Sequence, residues 1–256
     1  MTLKRLAVFL LSLAALVPQG CSRAPVVPTG DPELLWETAL RSYDRAGEPF
    51  TATGTLGLAS PDFNQSADFT LRWENVSRLR IDLAGPFGIP LASAALADTM
   101  AWVSVPLRGT YLAGPPALVD SAAAATLSLS LDRIMRAVSG LPPRQEGGYQ
   151  RAEPGAKSTD FLFLRGDTAR TFTVGRKQAR IERYAVRIAN KPWAEIEYGD
   201  FRSGGGSARP HRVTLTSPAA GMTLDLTFDR IDPARPFPAD VWRQNVPDGV
   251  IPQRFK

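Results

Sequence analysis

The sequence predicts a mainly β protein: a curved antiparallel sheet or half-open barrel of about ten or eleven strands, with helices against its concave side. Three observations predict this fold. Apolar and polar residues alternate with a period of two in many short segments, and turn-forming Gly, Pro, Asn and Asp residues separate those segments. A pattern of helical period interrupts them near residues 116–141. Alternation of this kind indicates strands with one face buried and the other in water.

The clearest strand pair is a hairpin around a turn at Asn75–Ser77. Its apolar side chains alternate with polar ones and fall on one face: Phe69, Leu71, Trp73, Leu79, Ile81 and Leu83. The other strand segments are 91–96, 101–105, 110–112, 161–165, 171–174, 179–188, 194–201, 211–216 and 222–228. Residues 144–158 are expected to form a loop, and the proline-rich tail from Pro233 is expected to wrap around the body.

An N-terminal helix is predicted to begin at Asp31-Pro32, since Asp suits the N-cap and Pro the first helical position. Gly47 is a plausible stop. An apolar stripe recurs at helical spacing: Leu35, Trp36, Ala39, Leu40 and Tyr43. The stripe favours packing against the sheet; the alternative is that it binds a membrane.

The mid-chain insertion contains an alanine-rich stretch and then a second helical stripe. Ser130 is its candidate N-cap, and Gly140-Leu141-Pro142 ends it. Four apolar residues follow the spacing i, i+3, i+4 and i+7: Leu131, Ile134, Met135 and Val138. This pattern predicts a short amphipathic helix.

The N-terminus has the pattern of a signal peptide over residues 1–20. Lys4 and Arg5 precede Leu6–Val17, an apolar stretch of 12 residues that is shorter than the roughly 20 residues a spanning helix needs. Gly20-Cys21 resembles a lipobox, with Pro18 where that motif usually has Leu. The resemblance implies cleavage before Cys21 and lipid attachment to its thiol; the alternative is an ordinary buried cysteine.

Composition agrees with an exported, anchored protein. Cys21 is the only cysteine, so the chain can form no internal disulfide. Removing residues 1–20 lowers the formal net charge from +5 to +3, so the mature chain is only mildly basic. Residues 21–30 are expected to be a lipidated tether and residues 31–256 a single domain. Nucleic acid is not an expected partner of such a chain.

Several of these features together resemble the LolB-like family of outer-membrane lipoproteins. They are the tether, the N-terminal helix, the hairpin ending in Gly85-Pro86-Phe87-Gly88, and Leu129–Pro142 with its Gly-Leu-Pro ending. The family's loop reads Asn-Pro-Leu-Gly, so Gly85 and Phe87 depart from it. The resemblance covers roughly residues 50–143; beyond residue 150 only the order and type of elements agree.

The resemblance implies a half-open barrel whose apolar cavity receives the acyl chains of other lipoproteins. It implies membrane lipids, other lipoproteins and a LolA-like periplasmic carrier as partners, no cofactor, no covalent chemistry and a monomer. Ser22, following Cys21, implies the periplasmic face of the outer membrane. The helix stripe from Leu131 to Val138 would form the lid, and the apolar face of the hairpin from Phe69 to Leu83 would form the opposite wall. The alternative is that all these residues are plain core.

Phe87 is the residue most strongly expected to carry function. Gly85-Pro86-Phe87-Gly88 fits a type I turn, which places Phe87 at the tip. Turn tips are normally polar, so a large apolar residue there needs a reason. By resemblance to the matching Leu of LolB, Phe87 would enter the bilayer as a wedge; the alternative is that it folds back onto the barrel rim.

Enzyme chemistry is not predicted. His211 is the only histidine, and no metal-ligand spacing occurs. Gly204–Gly206 lies between strands and is expected to be a hairpin loop rather than a phosphate cradle. The basic stretch from Arg176 to Arg187 is expected to be a solvated strand face, with contact to anionic head groups as the alternative. Two functions remain in view: an acyl-chain-binding protein that receives or inserts lipoproteins, and an envelope scaffold of the same fold without transfer activity. A hydrolase is a weaker third.

Overall fold

The structure is a computed structural model that describes residues 30–44, 48–127, 129–145, 147–204, 207–243, 246 and 253–255. Cys21, the signal peptide, almost all of the tether and Gly47 lie outside the described residues. Within the described ranges, no helix is both long enough and apolar enough to span a membrane.

One sheet of 14 strands dominates the molecule and does not close into a barrel. The strands are β1 Phe50–Ser60, β2 Phe63–Asn75, β3 Arg78–Ala84, β4 Pro90–Ala97, β5 Met100–Val105, β6 Thr110–Gly114, β7 Arg151–Pro154, β8 Ser158–Arg165, β9 Thr168–Gly175, β10 Arg180–Ile188, β11 Lys191–Gly204, β12 Ser207–Ser217, β13 Met222–Pro233 and β14 Gln253–Arg254. Their order is β14-β6-β5-β4-β3-β2-β1-β13-β12-β11-β10-β9-β8-β7. Neighbours are antiparallel except β14, which runs parallel to β6.

The predicted fold class is confirmed, but three strands were not predicted: β1, β7 and β14. In β1, glycine occupies position 54, where the alternation would otherwise have an apolar side chain. A Cβ at this position would lie 2.0 Å from the backbone oxygen of Thr227, so the strand lacks the pattern by which it could be predicted. Strand β7 lies in the segment that was expected to be a loop, and its four residues pair with β8 at the sheet edge. Neither β7 nor the two-residue β14 is long enough to show alternation.

Among the described residues the α-helices are α1 Pro32–Asp44, α2 Pro116–Leu127 and α3 Leu131–Val138. Helix α1 packs against β9, β10 and β12, which confirms sheet packing over the membrane-binding alternative. Asp31 Oδ1 accepts hydrogen bonds from the backbone N–H groups of Glu33 (2.9 Å) and Leu34 (3.4 Å), as its N-cap position predicts. Leu40, predicted to lie on the apolar stripe, is instead 42% exposed.

The sheet face that carries the helices, called here the inner face, holds the main hydrophobic core. The side chains of Phe69, Leu71 and Trp73 lie on it and are at most 3% exposed. They continue across the sheet into Phe228 and Leu226 of β13. The alternation that was predicted for these strands therefore buries one face, as expected.

The opposite, outer face has a small core of its own, covered by the C-terminal tail. The indole N–H of Trp102 donates a 3.0 Å hydrogen bond to the carbonyl of Trp242, and Arg80 donates one of 3.0 Å to the carbonyl of Val241. Trp242 itself is buried and stacks edge-on against Phe237. The described part of the tail up to Arg243 therefore packs against the body, as the sequence predicted.

Candidate functional site

A mostly apolar cavity of 330 Å³ lies where α2 and α3 meet one end of the sheet. Its lining combines helix residues with residues from the β2–β3 and β4–β5 turns: Val76, Ser77, Leu96, Asp98, Pro116, Ala117, Asp120, Ser130, Leu131, Asp132 and Met135. Small-molecule sites usually measure about 300–1,000 Å³ and are mainly apolar with a few polar groups. This cavity is at the small end of that range.

Two of the four predicted lid residues line this cavity. Leu131 and Met135 face it, whereas Val138 is buried in the main core and Ile134 is half-buried against it. None of the six predicted wall residues is part of the lining. Phe69, Leu71, Trp73 and Leu79 are buried in the main core, while Ile81 and Leu83 are half-buried. The predicted lid and wall therefore belong to one hydrophobic core, and only Leu131 and Met135 of the lid reach the cavity.

Ser130 occupies the N-cap position of α3, as predicted. Its side chain makes no capping bond, however, and the N–H of Leu131 donates to Oδ1 of Asp120, a residue of α2. The cap therefore joins the two helices that frame the cavity. A carboxylate at a helix N-terminus is also favoured by the helix dipole.

The C-terminus of α3 is fixed by Ser139–Pro142. The N–H of Leu141 donates a 2.8 Å bond to the carbonyl of Arg136, the 6→1 bond of a Schellman motif. Gly140 has φ +70°, and a Cβ there would lie 2.9 Å from Pro210 Cγ. Only glycine fits both conditions, so the predicted Gly-Leu-Pro ending sets where α3 stops against β12.

Buried polar groups hold this ending against the inner face. The Tyr198 hydroxyl donates a 3.0 Å hydrogen bond to the carbonyl of Leu141, and Arg136 Nε donates one of 2.7 Å to the carbonyl of Pro142. Burial raises the pKa of Tyr198 well above its usual value and lowers the pKa of Arg136. The tyrosine is therefore a neutral donor across the physiological range, so α3 is held in place independently of pH there.

Arg209 adds a second attachment beside the same segment. Its guanidinium lies 4.2 Å from the centre of the Phe50 ring, and it donates a 3.4 Å hydrogen bond to the carbonyl of Ser139. Burial lowers the pKa of Arg209 to about 10. A cation–π contact and a backbone carbonyl together satisfy this partly buried charge.

A strip of partly exposed apolar side chains continues across the inner face of the N-terminal strands. Strand pairing aligns Ile81 with Ala94, and Leu83 with Ala92. The strip, called here the apolar strip, consists of half-buried residues from five strands: Leu56, Ile81, Leu83, Ala92, Ala94, Val103 and Leu112. It lies between the cavity and the opposite end of the sheet.

At that opposite end, Phe87 sits at the tip of the β3–β4 turn and is completely exposed. The N–H of Gly88 donates a 3.1 Å hydrogen bond to the carbonyl of Gly85, so the four residues form a β-turn as predicted. The predicted turn type is wrong, because Phe87 has φ +61° and ψ +20°. That left-handed conformation belongs to the third residue of a type II turn, and it directs a phenyl ring into solvent.

Sequence reasoning missed the cavity residues Val76, Leu96, Pro116 and Ala117. Val76 was assigned to a turn, and Pro116 and Ala117 to an alanine-rich stretch without a role. Among these residues only Val76 has a sequence signal: it is an apolar residue between two turn-forming residues, Asn75 and Ser77.

Groups suited to catalysis are not assembled in the described part of the chain. Within it, no cluster of three or more His, Cys, Asp or Glu residues could hold a metal ion. His211 lies in β12, and its Nδ1 is 2.8 Å from the carbonyl oxygen of Phe228. Gly205 and Gly206 lie outside the described residues. In the basic stretch, Arg183 Nε lies 3.1 Å from Glu195 Oε1 on an exposed strand face.

Comparison with known proteins gives a consistent fold. A LolA superfamily protein from Nitrosomonas europaea superposes with a TM-score of 0.55 at 12% identity, covering 80% of this chain and 97% of its own. A putative outer membrane lipoprotein-sorting protein domain from Vibrio parahaemolyticus gives 0.56 at 10%, covering 81% and 95%. A DUF1329 family protein from Desulfovibrio piger gives 0.58 at 10%, covering 82% and 96%.

No protein-family model matches the sequence, and no curated protein matches it. At these identities the structural likeness establishes the fold alone. The chain has the LolA-like fold: a curved, open antiparallel sheet with helices on its inner face.

Proposed function

We propose that this chain is a lipid-anchored protein of the outer membrane's periplasmic face that binds acyl chains and helps receive or insert lipoproteins there. The cavity between α2, α3 and the sheet carries the proposal, because it is mostly apolar and two predicted lid residues, Leu131 and Met135, line it. Burial of acyl chains in such a cavity needs no energy source other than the hydrophobic effect.

The cargo route in this proposal runs along the apolar strip, from the cavity at one end of the sheet to Phe87 at the other. An acyl chain lying there would cover side chains that the protein leaves half exposed, such as Leu83 and Val103. Strand β3 has seven residues, so at about 3.3 Å per residue the route along it is roughly 20 Å long. Phe87 would enter the bilayer and mark the exit.

The proposal assigns membrane lipids, other lipoproteins and a LolA-like carrier as partners of a monomer anchored through Cys21. Two of the structural neighbours are described as a LolA superfamily protein and as a lipoprotein-sorting protein domain, which supports this choice. Metabolic labelling with a palmitate analogue tests the anchor. Wild type should take up label and fractionate with the outer membrane, and Cys21→Ala should do neither; an unlabelled wild type would refute the anchor.

A scaffolding lipoprotein with the same fold and no transfer activity is the alternative. It is favoured by the burial of the predicted wall, since Phe69, Leu71, Trp73 and Leu79 are at most 5% exposed. In that case the inner face serves only to hold the fold together. The two functions differ in whether the cavity and the apolar strip bind lipid.

Photo-crosslinking separates the two functions. A photoreactive residue at Met135, which lines the cavity, should capture lipid or lipopeptide in cells, whereas one at the exposed Leu40 of α1 should not. Mass spectrometry of material that co-purifies with Cys21→Ala identifies the cargo. A folded protein with no adduct at Met135 and no co-purifying lipid would establish the scaffold instead.

An occluding variant sharpens the test without removing a core side chain. Ala117 is exposed at the edge of the cavity, so Ala117→Trp should fill its mouth and abolish the adduct at Met135. Glu37→Trp, which adds the same ring to an exposed site of α1, is the matched control. Equal crosslinking in the two variants would show that the cavity is not where cargo binds.

A further inference from the structure

The β5–β6 turn shares several features with the Phe87 turn. Both begin with a proline, Pro106 and Pro86, but Pro106–Arg108 forms a single helical turn that ends at the left-handed Gly109, whereas in Pro86–Gly88 Phe87 itself is left-handed. In each turn the first proline's carbonyl accepts a backbone hydrogen bond three residues on, from Ile89 at 3.4 Å and from Gly109 at 3.0 Å. In each turn, too, the residue after proline is large and apolar. Leu107 is 71% exposed, so its side chain projects into solvent as that of Phe87 does.

The two turns lie side by side at the same end of the sheet. Ser93 of β4 pairs with Ser104 of β5, and the same register, continued toward the strand end, places Leu107 opposite Pro90. Pro90 in turn pairs with Ala84, the residue directly before the Phe87 turn. The Pro106–Arg108 turn lies against β4. Neighbouring strands are about 4.8 Å apart, so the two tips are separated by roughly 10 Å across the sheet.

The chemistry of the two tips fits a lipid bilayer better than a folded protein. Neither Gly85–Leu91 nor Val105–Gly109 contains an acidic residue, and Arg108 adjoins Leu107. An apolar side chain that projects from a turn can be buried among acyl chains without a preformed complementary pocket. An arginine beside it can hold a phosphate at the level of the head groups while its stem stays in the apolar layer.

We propose that Pro106–Gly109 is a second membrane-contact point, with Leu107 entering the acyl layer and Arg108 meeting lipid phosphates. This inference rests on the proposed function, in which Phe87 enters the same bilayer. One contact leaves a tethered domain free to rotate about it; two contacts about 10 Å apart fix how the sheet end meets the membrane. The end of the apolar strip would then always face the lipid.

Single-cysteine labelling tests this arrangement, because Cys21 is the chain's only cysteine. The mature chain from residue 21, carrying Cys21→Ala and an N-terminal hexahistidine extension, is held on vesicles of phosphatidylethanolamine, phosphatidylglycerol and a nickel-chelating lipid. Phe87→Cys, Leu107→Cys and Met100→Cys each receive an environment-sensitive fluorophore. Met100 is the matched control, since it is 46% exposed in the β4–β5 turn at the opposite end of the same sheet.

Vesicles should shift the emission of the probes at positions 87 and 107 to the blue, and lipids carrying a quencher in the acyl chain should quench both. The probe at position 100 should respond to neither. Leu107→Glu should reduce the inserted fraction of the probe at position 87 about tenfold, because each apolar tip contributes burial comparable to one Leu side chain.

Three results would overturn the inference, and they differ in what they say of the proposed function. If position 87 inserts while position 107 remains in water, the second contact is absent and the Phe87 wedge stands. If neither inserts, both ideas about the membrane fail, while crosslinking at Met135 still decides whether the cavity binds lipid. If position 100 inserts as deeply as position 107, adhesion is nonspecific and the inference fails as well.

Discussion

The two halves of the sheet use their inner faces differently. On strands β7–β13 the inner face is filled by aromatic rings, and helix α1 covers it. Trp36 of α1 lies 5.0 Å from the ring of Phe161 and 5.4 Å from those of Phe163 and Phe172. Tyr184 continues the stack at 4.8 Å from Phe172. Aromatic rings packed in this way stabilise this half of the sheet through the large apolar area that each ring buries.

On strands β1–β6 the inner face is lined largely by small and aliphatic residues. Ala92, Ala94 and Val103 are half-buried, and a cavity of 330 Å³ lies at one end of this half, where α2 and α3 meet the sheet. The apolar turn tips of Phe87 and Leu107 belong to the same half. The difference indicates a division of labour: the C-terminal half supplies stability, and the N-terminal half supplies the surfaces proposed to handle lipid.

Among the variants that test this division, Trp36→Ala is expected to have the largest effect on stability. It should lower the free energy of unfolding by about 3–5 kcal/mol, because it leaves a large cavity among three phenylalanine rings. Met135→Ala, in the half that already contains a cavity, should cost less, about 2 kcal/mol. Denaturant unfolding measures both values. Leu40→Ala, on the exposed side of α1, should change stability by less than about 0.5 kcal/mol.

An equal cost for Trp36→Ala and Met135→Ala would contradict the proposed division. It would mean that the N-terminal half is as tightly packed as the C-terminal half. The cavity would then be a poor candidate for a binding site, and the scaffold function would gain support.

The next largest effect concerns the attachment of α3 between the halves. Gly140→Ala should destabilise the protein by about 1–3 kcal/mol, because alanine at φ +70° is strained and its Cβ would meet Pro210. Gly147→Ala separates the two causes, since Gly147 has φ +80° but nothing within 4 Å of the Cβ position. Thermal unfolding should show a larger loss for Gly140→Ala; equal losses would mean that contact with Pro210 does not matter.

A smaller effect should follow from acidification of the outer face of the N-terminal half. Burial alone would raise the pKa of Asp82, but hydrogen bonds from Arg80 and Ser93 and the charges of Arg80 and Arg72 hold it below its usual value. Because the pKa of Asp82 is lowered in the folded state, its ionised carboxylate stabilises the fold above the unfolded-state pKa of about 4. This stabilisation is lost as the pH falls below that value.

Arg80 also donates to the carbonyl of Val241 and lies 5.4 Å from the Trp102 ring, so protonation of Asp82 should loosen the C-terminal tail. Limited proteolysis near Pro233–Trp242 as pH falls below 4 measures this effect. Asp82→Asn should loosen the tail already at neutral pH. Asp225→Asn, which removes a carboxylate that pairs with Arg212 on β12, should leave the tail protected; loosening by both variants would point to a general loss of stability.

The fold was largely predictable because alternation and turn chemistry are local signals. Phe69, Leu71 and Trp73 alternate with polar residues and bury one face, as read from the sequence. Gly54 shows the limit of these local signals. It is a glycine because the backbone of Thr227, some 170 residues further along the chain, leaves no room for a side chain there. The N-terminus of α3 shows the same limit. Ser130 is its N-cap, as predicted, but the carboxylate that accepts from the N–H of Leu131 comes from Asp120 of another helix.

The candidate site was predictable only in part. Helical spacing found Leu131 and Met135, but the other wall of the cavity comes from turns and from the start of α2, whose proximity only the folded sheet creates. The hairpin residues chosen as the opposite wall instead pack against β13 and the core, with the rings of Phe69 and Phe228 5.3 Å apart. Periodicity identifies an inward face but does not tell whether a ligand or the protein itself fills it.

The smallest effect on stability, and the largest proposed effect on function, belongs to Phe87. Its side chain is completely exposed, so Phe87→Glu should change the free energy of unfolding by less than about 0.5 kcal/mol. The same change should block cargo release, because a carboxylate at the tip opposes entry into the acyl layer. Release of a lipopeptide from purified protein to vesicles measures this. Phe87→Leu, which keeps an apolar tip, should retain release. A Phe87→Glu variant that unfolds would show that the ring packs on the rim in solution. A variant that folds and releases cargo normally would show that the tip is not a wedge, leaving the cavity as the remaining support for lipid handling.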